Sequence, residues 1–163
     1  MADRSAAVIV GIDVGTRRSA FALLRLHVNG HGQAVELIDC GDFDTYDIPA
    51  LGRMCKRWRS SGVTEIGIER PIPAPRIGRN VLISLSMAAG FLEGYLAARG
   101  FRCSSVSVTE VRRLVTTGKR GTPGDSDVKR FLRKHVQGMR ARRTNVHQRD
   151  AAMIAYMLLK RYL

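Results

Sequence analysis

The chain begins with an apolar run that ends in a single carboxylate. Residues 7–14 read AVIVGIDV, and both alternating faces of this run are apolar up to Asp13. Such a run is typical of a strand in the middle of a sheet, covered on both faces. Because an ionised carboxylate buried alone is very costly, Asp13 needs a partner where that strand ends. The alternative is that Asp13 caps the turn at Gly15.

The hydrophobic pattern and the turn residues predict one α/β domain over residues 1–163. Strands are predicted at 7–14, 19–28, 33–43, 63–69 and 101–108. Helices are predicted at 48–60, at 80–99, from the cap Thr109 to 115, from a cap at Asp125 or Ser126, and from Val146 onward. This order predicts a mixed five-stranded sheet, three antiparallel strands and then two parallel ones, flanked by helices.

Charge is the feature of the composition that bears most on function. Lys and Arg number 27 against 14 acids, a net charge of +13, and such a surplus attracts polyanions, with nucleic acid as the first expectation. No uninterrupted apolar stretch of about 18 residues occurs, which argues against a membrane partner. Three widely spaced cysteines, at 40, 55 and 103, favour a reducing compartment, such as the cytoplasm of a bacterial or phage-infected cell.

A second carboxylate ends another predicted strand. Glu69 ends the predicted strand 63–69 directly after the apolar residues 66–68, as Asp13 follows an apolar run of its own. In an open α/β sheet the carboxyl ends of strands commonly face a ligand crevice, so Asp13 and Glu69 meet there if their strands are neighbours. Carboxylate oxygens are the donors that suit Mg²⁺ or Mn²⁺. The alternative for Glu69 is a simple ion pair with Arg70 or another arginine nearby.

The last helix adds two polar residues on an inward face. His147 and Asp150 lie three residues apart, and Ile154 and Leu158 continue the same side as apolar residues. That side is therefore expected to face the sheet. Taken alone, His147 would be a capping or surface residue, and Asp150 an acid that favours the helix dipole.

Three segments in this order carry a family resemblance: GIDVGTRRSAFALL (11–24), IGIERP (66–71) and HQRDAAMIAY (147–156). They resemble the ribonuclease H-like superfamily, and within it RuvC-type Holliday-junction resolvases. The resemblance implies an RNase H-like fold and one set of catalytic and metal-ligating residues: Asp13, Glu69, His147 and Asp150.

What the resemblance implies chemically is cleavage of branched DNA with two divalent ions. Mg²⁺ or Mn²⁺ would be held by the four residues, with Asp13 bridging the two ions. The expected product is a nick with a 5′ phosphate and a 3′ hydroxyl, and paired nicks would resolve a Holliday junction. Since imidazole is softer than a carboxylate, His147 makes a preference for Mn²⁺ plausible. A branch-migration motor stays open as a further partner.

Basic residues cluster beside the proposed catalytic elements. The expected DNA-binding residues are Arg17, Arg18, Arg70, Arg76, Arg79, Arg112, Arg113, Lys119, Arg120, Arg140, Arg142 and Arg143. In one respect the chain departs from the family, whose members often carry a lysine just before the helix that here begins SDVKRFL. This chain has Asp125 there, and Lys119 or Arg120 would have to replace that lysine.

The predicted helix at 80–99 is apolar on three sides rather than along one stripe. One side can cover the sheet and another a second copy of the chain. A homodimer is therefore expected, since twofold dimers are the commonest assemblies. The alternative is a helix deep in the core of a monomer.

Four other functions compete with this interpretation. A YqgF-like nuclease acting on RNA shares GIDVGT and a terminal Asp-Ala-Ala helix, but SSVSVTEVRR lacks the Asp-Glu-Arg segment usual in that group. Sugar kinases and chaperone-type ATPases share DVGT but need two such domains around a nucleotide. Transposase and integrase cores usually add DNA-recognition domains. A non-catalytic nucleic-acid-binding module would keep the charge without needing the four metal-site residues.

Overall fold

The computed structural model describes residues 7–29, 32–75, 77–115 and 123–162. Its sheet contains β1 (Val8–Asp13), β2 (Arg18–Asn29), β3 (Gly32–Asp44), β4 (Glu65–Arg70), β5 (Cys103–Ser107) and β6 (Val136–Gln137). The helices are α1 (Ile48–Ser60), α2 (Arg79–Ala97), α3 (Val108–Arg113), α4 (Asp125–His135) and α5 (Val146–Leu159). The strand order across the sheet is β5-β4-β1-β2-β3-β6.

The first strand lies inside the sheet, as its two apolar faces predict. β1 pairs antiparallel with β2 and parallel with β4, and β4 pairs parallel with β5. β2 and β3 form the antiparallel hairpin that completes the predicted meander. β1 and β4 are therefore neighbours, which meets the condition under which their two carboxylates were expected to meet.

The prediction of five strands is wrong by one. β6 has two residues and pairs parallel with β3, with Val136 opposite Val35. A two-residue strand is too short to show a period in the sequence, so no strand was predicted there. β6 places the connector between α4 and α5 beside the outer edge of β3.

Helices cover both faces of the sheet, which makes three layers. On one face, α5 lies over β1 and β2, and α3 and α4 pack beside it around one apolar cluster. On the other face, α1 and α2 pack around a second cluster that includes Trp58 and Leu92. Successive side chains of β1 point to opposite faces of the sheet, so Ile9 belongs to the first apolar cluster and Val10 to the second.

Two glycines let α5 approach the sheet closely. Gly11 on β1 and Gly67 on β4 are directly opposite each other in the parallel register. A Cβ at Gly11 would lie 2.0 Å from the carbonyl oxygen of Ala151, and one at Gly67 would lie 2.7 Å from Ile154 Cγ2. The missing side chains thus form a shallow trough in which α5 lies, and this trough fixes where the residues at the start of α5 meet the sheet.

Two predicted helix caps are wrong. α3 is capped by Ser107, whose Oγ accepts from the backbone N–H of Thr109, while Glu110 accepts from the N–H of Ser107. α4 begins after Gly124 rather than at a side-chain cap, and Asp127 accepts from the N–H of Gly124. Asp125 is therefore free for another contact, which proves important for the site.

The helix α2 carries the unusual apolar surface that its sequence predicts. Ala88, Leu92 and Leu96 are buried against the sheet, whereas Ile83 and Met87 are 48 % and 67 % exposed. By length and composition alone, α2 is also apolar enough to cross a membrane, and 17 % of its most apolar window is buried. Its packing against the sheet makes it part of the fold, with one apolar side left over.

Candidate active site

Two carboxylates end neighbouring strands on one face of the sheet. Asp13 ends β1, and Glu69 follows Ile68, the residue that pairs with Ile12 of β1. Because side chains alternate along a strand, Asp13 shares the face of Gly11, and Glu69 shares that of Gly67. This is the face that α5 covers. The sheet therefore directs both carboxylates toward the same helix.

The start of α5 is held by a capping network that reaches back to β3. Asn145 Oδ1 accepts from the N–H of Gln148 at 2.8 Å, and Gln148 Oε1 accepts from the N–H of Asn145 at 3.3 Å. Asp42 on β3 accepts from the side-chain amides of both residues, at 3.0 Å from Asn145 and 3.3 Å from Gln148. The first turn of α5 is thereby fixed relative to the sheet edge.

That first turn brings His147 and Asp150 to the two strand-end carboxylates. His147 Nδ1 lies 2.8 Å from Asp13 Oδ2, with the imidazole 68 % exposed and the Asp13 side chain 12 % exposed. Asp150 lies close enough to Glu69 for their charges to interact. The structure thus brings Asp13 into contact with Glu69 and with His147, which is 134 positions away in the chain, and it places Asp150 within electrostatic range of Glu69.

Burial and mutual repulsion raise the pKa of all three carboxyl groups. The pKa of Glu69 is raised to about 9, first by burial and then by its hydrogen bond to Asp13 and by the charge of Asp13. Burial raises the pKa of Asp13, against the lowering effect of the same hydrogen bond. Burial and the Glu69 charge raise the pKa of Asp150. A protonated Glu69 that donates to the Asp13 carboxylate accounts for this pattern.

The chemistry of this donor set fits a divalent cation, but the four side chains do not form a closed set of ligands. Across residues 7–29, 32–75, 77–115 and 123–162, no three or more His, Cys, Asp or Glu side chains stand together in metal-binding geometry. They meet in pairs instead, Asp13 with Glu69 and with His147. A dication would offset the repulsion among these carboxylates that the shared proton offsets here.

Arg112 is the basic residue whose charge acts on these acids. It lines a cavity of about 70 Å³ together with Glu69 and Asp150, between α3, α4 and α5. Its charge lowers the pKa of both carboxyl groups against the larger effect of burial. Among the predicted DNA-binding residues that the structure describes, Arg112 thus lies beside Glu69 and Asp150.

Asp125, the departure from the family pattern, has a structural partner that the sequence did not reveal. Arg149 donates from Nε and Nη2 to both Asp125 oxygens, at 2.7–2.9 Å, and from Nη1 to the carbonyl oxygen of Thr144. Arg149 is 8 % exposed and directly precedes Asp150. The pair joins the first turn of α4 to the first turn of α5. The sequence signal for this ion pair was an arginine, Arg149, directly before the inward-facing Asp150.

The other predicted DNA-binding residues that the structure describes lie on the molecule's surface. The exposed ones are Arg17, Arg18, Arg70, Arg79, Arg113, Arg140, Arg142 and Arg143. Arg142 also donates to the carbonyl oxygen of Ile38 at 2.8 Å and pairs with Asp39 at 3.4 Å. Arg76, Lys119 and Arg120 lie outside the described residues, so the replacement of the family lysine by Lys119 or Arg120 stays a prediction.

Comparison with solved structures gives the fold a set of relatives. Thermus thermophilus RuvC matches with a TM-score of 0.67 and 14% identity, over 95% of this chain and 96% of that chain. The same protein in complex with a Holliday junction substrate matches with a TM-score of 0.64. The yeast mitochondrial Holliday junction resolvase Ydc2 matches with a TM-score of 0.59 and 14% identity, over 96% of this chain and 81% of that chain.

A viral protein matches over a similar length. The fowlpox virus resolvase, in complex with Holliday junction DNA, has a TM-score of 0.54 and 11% identity, over 96% of this chain and 99% of that chain. No protein-family model and no curated protein sequence matches. The structural likeness confirms the predicted RNase H-like fold and its resemblance to RuvC-type proteins.

Proposed function

We propose that this chain is a divalent-metal-dependent endodeoxyribonuclease that resolves Holliday junctions by paired, symmetric nicks. The observation that carries the proposal is the meeting of Asp13 with both Glu69 and His147 at one sheet edge, with Asp150 beside them. Three structural relatives whose own descriptions name Holliday junction resolution or RuvC share the fold that creates this meeting.

Two Mg²⁺ or Mn²⁺ ions are proposed to be held by Asp13, Glu69, His147 and Asp150. Bound there, the ions would supply Lewis acidity to activate a water and to stabilise the leaving 3′ oxygen, which gives 5′-phosphate and 3′-hydroxyl ends. The carboxylates supply hard oxygen donors, and burial keeps their charge poorly solvated, which favours a bound dication. Arg112 is proposed to offset the charge of the scissile phosphate.

Paired nicks need two sites, and the free side of α2 is proposed to supply the second copy. Ile83, Met87, Gly90 and Gly94 follow one another along one stripe of the helix, and all are exposed. A Cβ at Gly90 or Gly94 would meet nothing within 4 Å, so the backbone there is open to close approach by another helix. A homodimer through this stripe would give each of two opposed junction strands its own site.

The proposal is tested by incubating the protein with labelled four-way junction, splayed, flap and linear duplex DNA, and with an RNA hairpin, with and without Mg²⁺ or Mn²⁺. We expect metal-dependent cleavage of the junction in preference to the others. Asp13→Asn should abolish cleavage and keep junction binding, whereas Asp44→Asn, which changes an exposed carboxylate at the end of β3, should retain both. Preferred cleavage of the RNA hairpin would favour the YqgF-like alternative, and cleavage that survives in Asp13→Asn would refute the site.

A further inference from the structure

A basic groove that the site of Asp13, Glu69, His147 and Asp150 does not use runs along α4 and the connector to α5. It consists of two adjoining cavities, of about 330 and 670 Å³, that share Arg133 and Arg140 in their walls. We call it the α4 groove. Its basic lining residues outside the first turn of α5 are Lys129, Arg133, Lys134, Arg140, Arg142 and Arg143. Three of them, on α4, belong to none of the basic clusters that the sequence singled out.

The lining of the α4 groove carries charge of one sign. Among the described residues, no Asp or Glu lines either cavity. Within the same part of the chain, no acidic side chain pairs with Lys129, Arg133 or Arg143, whereas Arg142 is held by Asp39 and the carbonyl oxygen of Ile38. A concave surface with uncompensated cations concentrates field lines and attracts a polyanion.

The position of the α4 groove relates it to the proposed reaction centre. Its connector wall runs through Arg143 and Thr144 directly into Asn145, the cap of α5. Arg149, which also lines the groove, is one residue from Asp150 and is fixed by Asp125. A chain of phosphates lying in the groove would therefore pass close to the helix start that bears His147 and Asp150.

We infer that the α4 groove binds the phosphodiester backbone of a duplex DNA arm, outside the cluster of acids. The inference rests on the proposed function for the identity of the polyanion. Lys and Arg contacts to phosphate fix register and orientation without reading sequence, which suits an enzyme that recognises branching. Each such contact releases condensed counterions, so binding through the groove should weaken as salt rises.

The test compares two double variants that each remove one lysine and one arginine from an exposed helix surface. Lys129→Ala with Arg133→Ala removes two positive charges from the lining of the α4 groove. Arg53→Ala with Lys56→Ala makes the same charge change on α1, on the opposite face of the sheet. Binding of a labelled immobile four-way DNA junction is measured by fluorescence anisotropy across a salt series, in EDTA so that cleavage does not interfere. Thermal melting checks that both variants fold.

We expect the groove variant to bind the junction severalfold more weakly and to lower the slope of log affinity against log salt by about two, one for each lost contact. The α1 variant should keep the wild-type slope. An unchanged slope in the groove variant, or an equal loss in both variants, overturns the inference. Tighter binding of a duplex RNA competitor than of the junction would also overturn it, since the occupant would then be another polymer.

Failure of this inference is distinguishable from failure of the proposed function. If the wild type cleaves no branched DNA but the groove variant alone loses salt-dependent binding, the nuclease proposal fails and the groove stands. If the wild type cleaves junctions and the groove variant binds with the wild-type slope, the groove fails and the nuclease stands.

Discussion

The imidazole Nδ1 of His147 lies 2.8 Å from Oδ2 of Asp13, which connects the first turn of the last helix to the end of the first strand. The contact leaves Nε2 on the other side of a ring that is 68 % exposed. His147 is thus held at one nitrogen by the acid at the centre of the cluster, and its second nitrogen is available toward solvent. Substitutions at His147 therefore test the site without disturbing the core.

We expect His147→Ala to lower the single-turnover rate of junction cleavage by about 10²–10⁴-fold, the range for a positioned catalytic group, with little change in junction affinity. His147→Asp replaces a nitrogen donor by the oxygen donors that Mg²⁺ prefers, so it should retain activity and shift the ratio of rates in Mg²⁺ and Mn²⁺ toward Mg²⁺. Rates measured in each metal at matched concentrations check this. Equal rates for wild type and His147→Ala would exclude His147 from the reaction.

The raised pKa of Glu69 makes stability depend on pH in a defined direction. Its pKa is about 9 in the folded protein against 4.5 for an ordinary glutamate, so between these values the folded state holds a proton that the unfolded state lacks. The free energy of unfolding should therefore fall as pH rises through this window in EDTA, by at most about 1.4 kcal/mol per pH unit from this group.

Glu69→Gln replaces the titrating carboxyl group by a neutral amide, so the free energy of unfolding of the variant should fall less than that of the wild type between pH 5 and about pH 8.5. Urea unfolding at several pH values measures the difference, with the exposed Glu93→Gln as the matched control. Added Mg²⁺ should stabilise the wild type more at high pH, because the dication and the proton offset the same charges. Parallel pH profiles for wild type and Glu69→Gln would contradict this account.

The strand-end acids and the inward face of the last helix could be predicted from the sequence because each is carried by a local period. Alternation places Asp13 at the end of a doubly apolar strand, and three- and four-residue spacing aligns Asp150 with Ile154 and Leu158, which are buried. The meeting of Asp13 with Glu69 also required that β1 and β4 be neighbours, a condition that the sequence left open and that the parallel pairing of the two strands meets.

Other features could not be predicted because they depend on pairs that share no local pattern. Arg149 and Asp125 are 24 residues apart on different helices, and neither helix shows a period that selects the other. Gly124 has no side chain that could cap α4, and its N–H donates to Asp127 instead. Because the sequence prediction looked for a capping side chain, it chose Asp125 or Ser126. The two-residue β6 is defined only by the edge of β3 that it meets.

The trough formed by Gly11 and Gly67 predicts which glycines are intolerant of substitution. A Cβ at Gly11 would lie 2.0 Å from a backbone oxygen of α5, which cannot rotate away. Gly11→Ala should therefore cost more than about 3 kcal/mol, the upper end of ordinary overpacking. Gly52→Ala, in the interior of α1, is the control, because a Cβ there would meet only Tyr95 Oη, at 3.6 Å. It should raise the free energy of unfolding by about 0.5–1 kcal/mol. Urea unfolding measures both, and similar costs for the two would refute the trough.

The Arg149–Asp125 pair should show strong energetic coupling. Asp125→Ala leaves the Arg149 guanidinium, in a residue that is 8 % exposed, with the hydrogen bond to the Thr144 carbonyl oxygen but without its carboxylate, which should cost about 1–3 kcal/mol. Adding Arg149→Met removes the stranded charge, so the double variant should be more stable than the sum of the two single losses predicts. Chemical unfolding of the four proteins completes the cycle. Strict additivity would show that the two side chains do not depend on each other.

The exposed stripe on α2 makes the proposed dimer testable at a single residue. Met87→Lys places a charge at the middle of the stripe, where Met87 is 67 % exposed, and it should convert a dimer into monomers because a paired surface would bury that charge. Val81→Lys, about 120° around the helix from Met87 and also exposed, is the matched control and should stay dimeric. Sedimentation velocity measures the mass of each protein, and a junction labelled on two opposed strands reports whether nicks occur in pairs. We expect the Met87→Lys monomer to make single nicks without resolution, and paired nicking by a protein that sediments as a monomer would reject the α2 dimer.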